Sequence, residues 1–206
     1  MSENIHICEI YKNCIKNRLQ FNLDILDIEY RQLASVDTHL LSLLHYAVIF
    51  KDIVFVQYLL EKNIDVNMPG TIMKRTPLFF SSDPDITILL ISYGADVNLV
   101  DNDLNTPLHC VIERFLNEEE EKRDILCFSK NIKALLWNGS NPSTTNSTEI
   151  SSKDLYYKIF PNENNDGEDE EVKEMMRYSD EDLQSDSESS VRDSDMISSV
   201  ESLEGR

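Results

Sequence analysis

The sequence predicts an all-α solenoid of stacked helix pairs, and three observations carry that prediction. First, "SLLHYAVIFKDIVFVQYLLEKNIDVN" (42–67), "TPLFFSSDPDITILLISYGADVN" (76–98) and "TPLHCVIERF…NIKALLWNGSNPS" (106–143) share their two ends. Second, the latter two open on a helix start. Thr76 and Thr106 can cap exposed backbone N–H groups, and Pro77 and Pro107 occupy the first helical position, where a missing N–H does no harm. Third, each stretch closes on an apolar pair (Leu59 with Leu60, Leu90 with Ile91, Leu135 with Leu136) followed by Asn63, Gly94 or Gly139. Gly and Asn tolerate the left-handed conformation that stops a helix. Two short helices cannot bury their apolar faces alone, so stacking against neighbours is the physical reason for the repetition.

In chain order, residues 1–37 come first. Ile7, Ile10, Tyr11, Cys14 and Ile15 recur at helical spacing, and Leu23, Leu26, Tyr30 and Leu33 follow less regularly. The end of a stack must present one polar face, so this segment is expected to be a helical cap or a degenerate repeat. The three units then occupy 38–67, 68–98 and 99–143. From Ser42 to Asn67 the numbering advances by 25, from Thr76 to Asn98 by 22, and from Thr106 to Ser143 by 37. Unit two is three residues short and unit three twelve residues long, both between fixed ends. Ser81, Ser82, Asp83 and Pro84 are turn formers, and Pro84 predicts an early stop for the first helix of unit two. The extra residues of unit three, near 117–128, predict a lengthened helix or a surface loop.

Residues 144–206 are expected to be an acidic, Ser-rich disordered tail, opening with a linker at "STTNSTEISS". Residues 142–206 hold 18 acidic and 6 basic side chains, net −12, against −7 for the first 141. They carry too few large apolar residues to offset the entropy of ordering. Ser179, Ser185, Ser190 and Ser198 each have an acidic residue three positions on, a pattern suited to acidophilic kinases; phosphorylation would add to the charge already there.

A net charge of −19 repels phosphate, which argues against nucleic-acid and membrane-surface binding. The opening "MSENIHICEIYKNCIKNRLQ" scatters charges among its apolar residues, unlike a signal peptide, and no run approaches the roughly 18 apolar residues of a membrane span. An intracellular, reducing compartment is therefore expected. Cys8, Cys14, Cys110 and Cys127 lack paired CxxC spacing, so buried free thiols are expected, not a zinc site or disulfides. Five glycines leave little room for a phosphate-binding loop, and Glu118 to Glu121 form a solvated run. No catalytic, cofactor, metal or small-molecule substrate site is expected.

"TPLH" at 106–109, "GADVN" at 94–98 and "LLEKNIDVN" at 59–67 resemble the ankyrin repeat, whose consensus runs TPLHxA, a variable helix, then LLxxGADVN, at a period of about 33. The resemblance implies that His45 and His109 are structural hydrogen-bond partners between adjacent turns, with Phe79 at that place in unit two. It also implies a hairpin loop reading DxxGxT before each unit. Asp37 and Asp101 match, but Leu40, Lys74 and Leu104 stand where Gly belongs. A non-Gly residue there costs on the order of 1 kcal/mol, so these tips should be either reshaped or strained. "MPGTIMKR" (68–75), one residue longer than "LVDNDLN", should be reshaped.

In the family, hairpin tips and the inner face of the first helices hold partner proteins. By position this implies Tyr46, Ile72, Met73, Lys74, Phe80, Asn102 and Asp103 as partner-binding residues, with Ile72 and Met73 a hydrophobic patch beside an acidic one. Irregular repeat lengths, abundant Ile and Asn, and "TPLHCVIE" followed by an insertion resemble the poxvirus ankyrin proteins, this chain being a short or truncated member without a clear F-box-like domain. That would imply a non-enzymatic host-interaction or host-range factor in the cytoplasm of the host cell, holding a cellular protein. Two alternatives follow. In "SSKDLYYKIFPN" (151–162), Asp154, Leu155, Ile159 and Phe160 fall in register with LPxEIxxxIL, the helix by which larger members recruit a ubiquitin ligase, although the Leu-Pro is absent. An inhibitor of Rel-type transcription factors would likewise combine an ankyrin stack with an acidic tail.

Overall fold

Helix pairs follow one another as the repeated ends predict. In the computed structural model, which describes residues 8, 11–12, 36–37, 39–161 and 170–178, repeat one supplies α1 (Leu43–Ile49) and α2 (Ile53–Glu61). Repeat two supplies α3 (Pro77–Phe80) and α4 (Pro84–Ser92), and repeat three supplies α5 (Pro107–Asn117) and α6 (Ile125–Trp137). First helices pack in the order α1, α3, α5, and second helices in the order α2, α4, α6. Among the described residues β pairing is limited to isolated bridges at the hairpins. The core runs along the seam between the two layers. Leu43, Leu59, Leu78, Leu90, Leu108 and Ile132 are fully buried there, each contributing on the order of 2 kcal/mol.

Local chemistry explains the helix ends. Asp52, Asp83 and Asp124 start the second helices, their carboxylates accepting from the backbone of Phe55, of Asp85 and Ile86, and of Cys127. At the other end Asn63, Gly94 and Gly139 take φ of 58°, 89° and 84°, the expected left-handed stop. Each is followed by the same reversed bond: Ile64 N to Leu59 O, Ala95 N to Leu90 O, Ser140 N to Leu135 O. The short unit ends its first helix at Phe80, before Pro84, which then opens α4. The twelve extra residues of repeat three are shared out: α5 has 11 residues against 7 in α1, a 3₁₀ turn covers Glu120–Lys122, and α6 has 13 against 9 in α2.

The expected tail from residue 144 is corrected at its start. Residues 144–150 form a fourth hairpin, bridged at Thr145 and Ser151, and α7 (Ser152–Ile159) packs on α5 as the first helix of a fourth repeat. Ser151 caps it, accepting from Asp154 N at 3.1 Å. Leu155, Tyr156 and Phe160 are buried. Averaging composition over a long acidic stretch hid this apolar cluster, and Asn146 and Ser151 stand where repeat three has Asp101 and Thr106. The residues in register with the ligase-recruiting helix are thus part of the stack. Within the expected tail, residues 170–178 form α8 (Glu170–Tyr178), in a unit separate from the stack, with Glu170 and Glu171 in its first turn and Arg177 in its last, as a helix dipole favours. The remainder of the expected tail, 162–169 and 179–206, lies outside the described residues.

Most of the expected N-terminal cap also lies outside them. Where residues 8, 11 and 12 are described, Cys8 Sγ donates to Leu41 O at 3.7 Å, Tyr11 Oη to Asp52 Oδ2 at 3.0 Å, and Lys12 Nζ pairs with Asp37 Oδ2 at 2.9 Å. Leu41 immediately precedes the cap residue of repeat one, the carbonyl position that receives a histidine ring at later junctions.

Candidate interaction surface

Each hairpin tip is built around one polar side chain. Asp37 Oδ1 accepts from the N–H groups two and four residues on, at 2.8 and 3.0 Å. Asp101 Oδ1 does the same with Asp103 and Asn105, and Asn146 Oδ1 with Thr148 and Ile150. Tip two differs as its extra residue predicts. Thr71 replaces the acid and accepts only from Met73 N, and Gly70 N, not Thr71 N, bonds back to Arg75 O. Thr71 also becomes left-handed, at φ 63°. The glycine-type position nevertheless stays left-handed in all four tips: Leu40 at 62°, Lys74 at 59°, Leu104 at 61° and Glu149 at 60°. The tips are therefore strained, by roughly 1 kcal/mol each, and tip two is reshaped as well.

Successive tips are tied to one another. Thr71 N donates to Leu40 O at 3.2 Å, Asn102 N to Met73 O at 3.0 Å, Asn102 Nδ2 to Ile72 O at 2.8 Å, and Ser147 N to Asp103 O at 2.8 Å. Below them Arg75 Nε reaches Asp101 Oδ2 at 2.8 Å and Asn146 Nδ2 reaches Asn105 Oδ1 at 2.9 Å. Asn102 is thus held in place by the ladder while staying exposed.

Ile72 is 83% exposed, Leu40 46% and Leu104 48%; Lys74 and Asp103 are exposed, and Met73 and Phe80 half-buried. Tyr46 is the exception. Its side chain is 6% exposed, its hydroxyl donates to Asp37 Oδ2 at 2.6 Å, and Lys12 Nζ lies 4.5 Å above its ring. Burial, then the Asp37 bond, push the Tyr46 phenol up to about 12. Tyr46 is therefore a buried support of tip one and is removed from the partner-contact set. Burial alone would raise the Asp37 carboxyl, but bonds from Tyr46, Lys12, Leu41 and His39 outweigh it and hold it far below the usual carboxylate range.

The histidines link repeats. His45 Nε2 donates to Arg75 O at 3.1 Å and His109 Nε2 to Ile150 O at 3.2 Å, so each Nδ1 accepts from the hydroxyl of Ser42 or Thr106 at 2.8 Å. Both rings are fully buried. Loss of water around the imidazolium lowers His45 to about 4, against weaker upward pulls from the Arg75 carbonyl and Asp37, and lowers His109 also. In repeat two the buried Phe79 cannot make this link, and Thr76 Oγ1 is left buried with no hydrogen-bond partner. The expected Thr76 cap is not made; Thr106 does accept, from His109 N at 3.5 Å.

Against this geometry, residues 44–146 match the family model described as ankyrin repeats in three copies. The chain belongs to the ankyrin-repeat family. This ankyrin stack also resembles the Danio rerio protein named as palmitoyltransferase ZDHHC13, at 36% identity over 74 residues, 34% of this chain and 11% of that protein. The match spans about a tenth of the relative's length, and the activity in its name belongs to that protein. The ankyrin fold is a non-catalytic interaction fold.

Three features of the ankyrin stack escaped the sequence reading. One is the pair of groups beside tip three on the inner face of α5: Cys110, whose thiol burial pushes up to about 12, and the half-buried Glu113. Burial raises the Glu113 carboxyl, Asp101 and Asp103 raise it further, and Arg75 opposes them. A second is the junction of repeats two and three. Arg114 of α5 donates to Ser81 O at 2.7 Å and Phe79 O at 2.8 Å, while Thr87 Oγ1 donates to Asn131 Oδ1 at 2.7 Å and Cys127 Sγ to Ser82 O at 3.3 Å. Beside it a cavity of about 190 Å³ is lined by Lys51, Ser82, Phe115, Glu118 and Lys122 among others. The third is the fourth hairpin. Among the described residues no group of three or more His, Cys, Asp or Glu side chains is placed to hold a metal ion, and no helix is long and apolar enough to cross a membrane.

Proposed function

We propose that this chain is a non-enzymatic ankyrin module that holds a cellular protein on its tip face, in the manner implied by its resemblance to poxvirus host-interaction proteins, working in the cytoplasm of a host cell. The observation that carries this reading is the row of tips bonded into one ladder while Leu40, Ile72, Lys74 and Leu104 project to solvent. A rigid ladder lowers the entropy lost when a partner docks, so tip side chains fixed from below contribute more per contact than mobile ones. The surface set is Ile72, Met73, Lys74, Phe80, Asn102 and Asp103, together with Leu40 and Leu104. An adaptor role through residues 151–162 is disfavoured, because Leu155, Tyr156 and Phe160 are buried and a ligase subunit would have to pull α7 off α5.

The test is affinity capture by the full chain from transfected cells, against the full chain carrying Ile72→Ser and Met73→Ser. Truncation at Pro142 would strip α7 from α5, so point variants are the cleaner comparison. A protein captured by the parent and lost from the variant is the expected result. Equal capture by both would remove the tip face as the docking site, and no capture by either would remove the reading.

A further inference from the structure

The strained tips carry an inference about what kind of partner fits, and it rests on the reading just proposed. Leu40 and Leu104 hold left-handed backbone, where glycine would fit without strain, yet both side chains are about half exposed. Burial within the fold therefore does little to offset that strain. Ile72 lies between them in the bonded ladder and is the most exposed large apolar side chain of the three. Strained residues that the fold itself does not use point to a function outside it.

At the tip-three end of this row the uncompensated charges are acidic. Arg75, the nearest guanidinium, is bound to Asp101, while the carboxylates of Asp103 and Glu113 form no hydrogen bond or ion pair among the described residues. Lys74 is an exposed cation at tip two. The chain as a whole carries −19, so a basic partner is also drawn in at long range.

We infer that the tip row Leu40, Ile72 and Leu104, bordered by Asp103 and Glu113, docks a basic amphipathic segment of the partner protein. Its apolar side chains lie on the tips and its Lys or Arg side chains meet the two free carboxylates. Apolar anchors ringed by complementary charge give both affinity and register.

The probes are three fluorescein-labelled 18-residue peptides read by anisotropy against the full chain: one of Leu, Ala and Lys in amphipathic helical pattern, one with Glu for Lys, and one with Ser for Leu. The Leu/Lys peptide should bind about tenfold or more tighter than either control. Asp103→Asn with Glu113→Gln should weaken it about tenfold, far more than two charges out of 38 acidic residues would by simple screening. Leu40→Gly with Leu104→Gly should also weaken it about tenfold while raising the thermal midpoint, a combination that a purely structural role for these leucines would not give.

Equal binding of the Leu/Glu peptide, equal binding of the Ser/Lys peptide, unchanged binding by either double variant, or no binding of the Leu/Lys peptide overturns the inference. If that happens while capture from cells still depends on Ile72 and Met73, the docking face stands and only the partner's chemistry is wrong.

Discussion

Repeats two and three have the same ends and opposite middles. Repeat two has a four-residue first helix, Phe79 in place of histidine, and an orphaned Thr76 hydroxyl; repeat three has an eleven-residue first helix, His109, and a cap that is fully used. The two are complementary. The shortening of α3 frees the carbonyls of Phe79 and Ser81, and the Arg114 guanidinium, carried on the longer α5, reaches across to take both. A solenoid tolerates a deletion when a neighbour's surplus satisfies the backbone groups it exposes, because each repeat is stabilised mainly by adjacent ones.

Breaking that complementarity should have the largest effect. Arg114→Ala removes two charge-assisted bonds and leaves two part-buried carbonyls unmet, so urea unfolding should show a loss of about 4 kcal/mol. A loss below about 1 kcal/mol would mean that water replaces the guanidinium and the two middles are independent.

Next is acidification. His45 titrates near 4 in the folded chain and at its ordinary value of about 6.5 when unfolded, so the unfolded chain binds the proton first. The stability this histidine contributes is complete above about pH 6.5, falls as pH drops toward 4, and is gone below that. The loss is on the order of 3 kcal/mol, with His109 adding in the same direction. Urea midpoints between pH 7.5 and 4.5 measure it, and His45→Phe, which imitates repeat two, should flatten the slope at a lower overall stability.

The threonine caps give a smaller and sharper contrast. Thr106→Val removes the hydroxyl from the His109 ring nitrogen, which keeps only the Thr106 N–H at 3.1 Å, and from the helix cap, and should cost about 1.5 kcal/mol, whereas Thr76→Val removes a hydroxyl that bonds to nothing and should leave stability within about 0.5 kcal/mol of the parent. Equal costs would show that the two repeats cap alike. Smallest in stability terms, and opposite in sign, is Lys74→Gly, which relieves the left-handed backbone of tip two and should add about 1 kcal/mol by the same assay.

The parts legible in the sequence were those set by contacts a few residues apart. Thr-Pro starts, Asn and Gly stops, the stop before Pro84 and the strain at Leu40, Lys74 and Leu104 are all local, and local residues announce them. The fourth hairpin was missed although it carries the same signals, because Asn146 and Ser151 are variants of the usual residues inside a polar stretch. Of the expected surface, Ile72, Met73, Lys74, Asn102 and Asp103 lie on the tips, Phe80 is half-buried at the end of α3 with its ring edge on His45, and Tyr46 is buried beneath tip one. Its burial depends on Asp37 and on Lys12, 34 positions away, and no spacing rule links those residues.

By itself, then, the sequence determined where helices begin and end, and that their faces must stack, since caps, stops and apolar spacing act within one or two turns. Tertiary structure alone decided which polar groups meet across repeats: Arg114 with the carbonyls of α3, His45 and His109 with the next hairpin, and a half-buried Glu113 beside an exposed Asp103. Those meetings depend on the stacking register of whole helix pairs, and register is fixed by the sum of many small apolar contacts that no single residue type encodes.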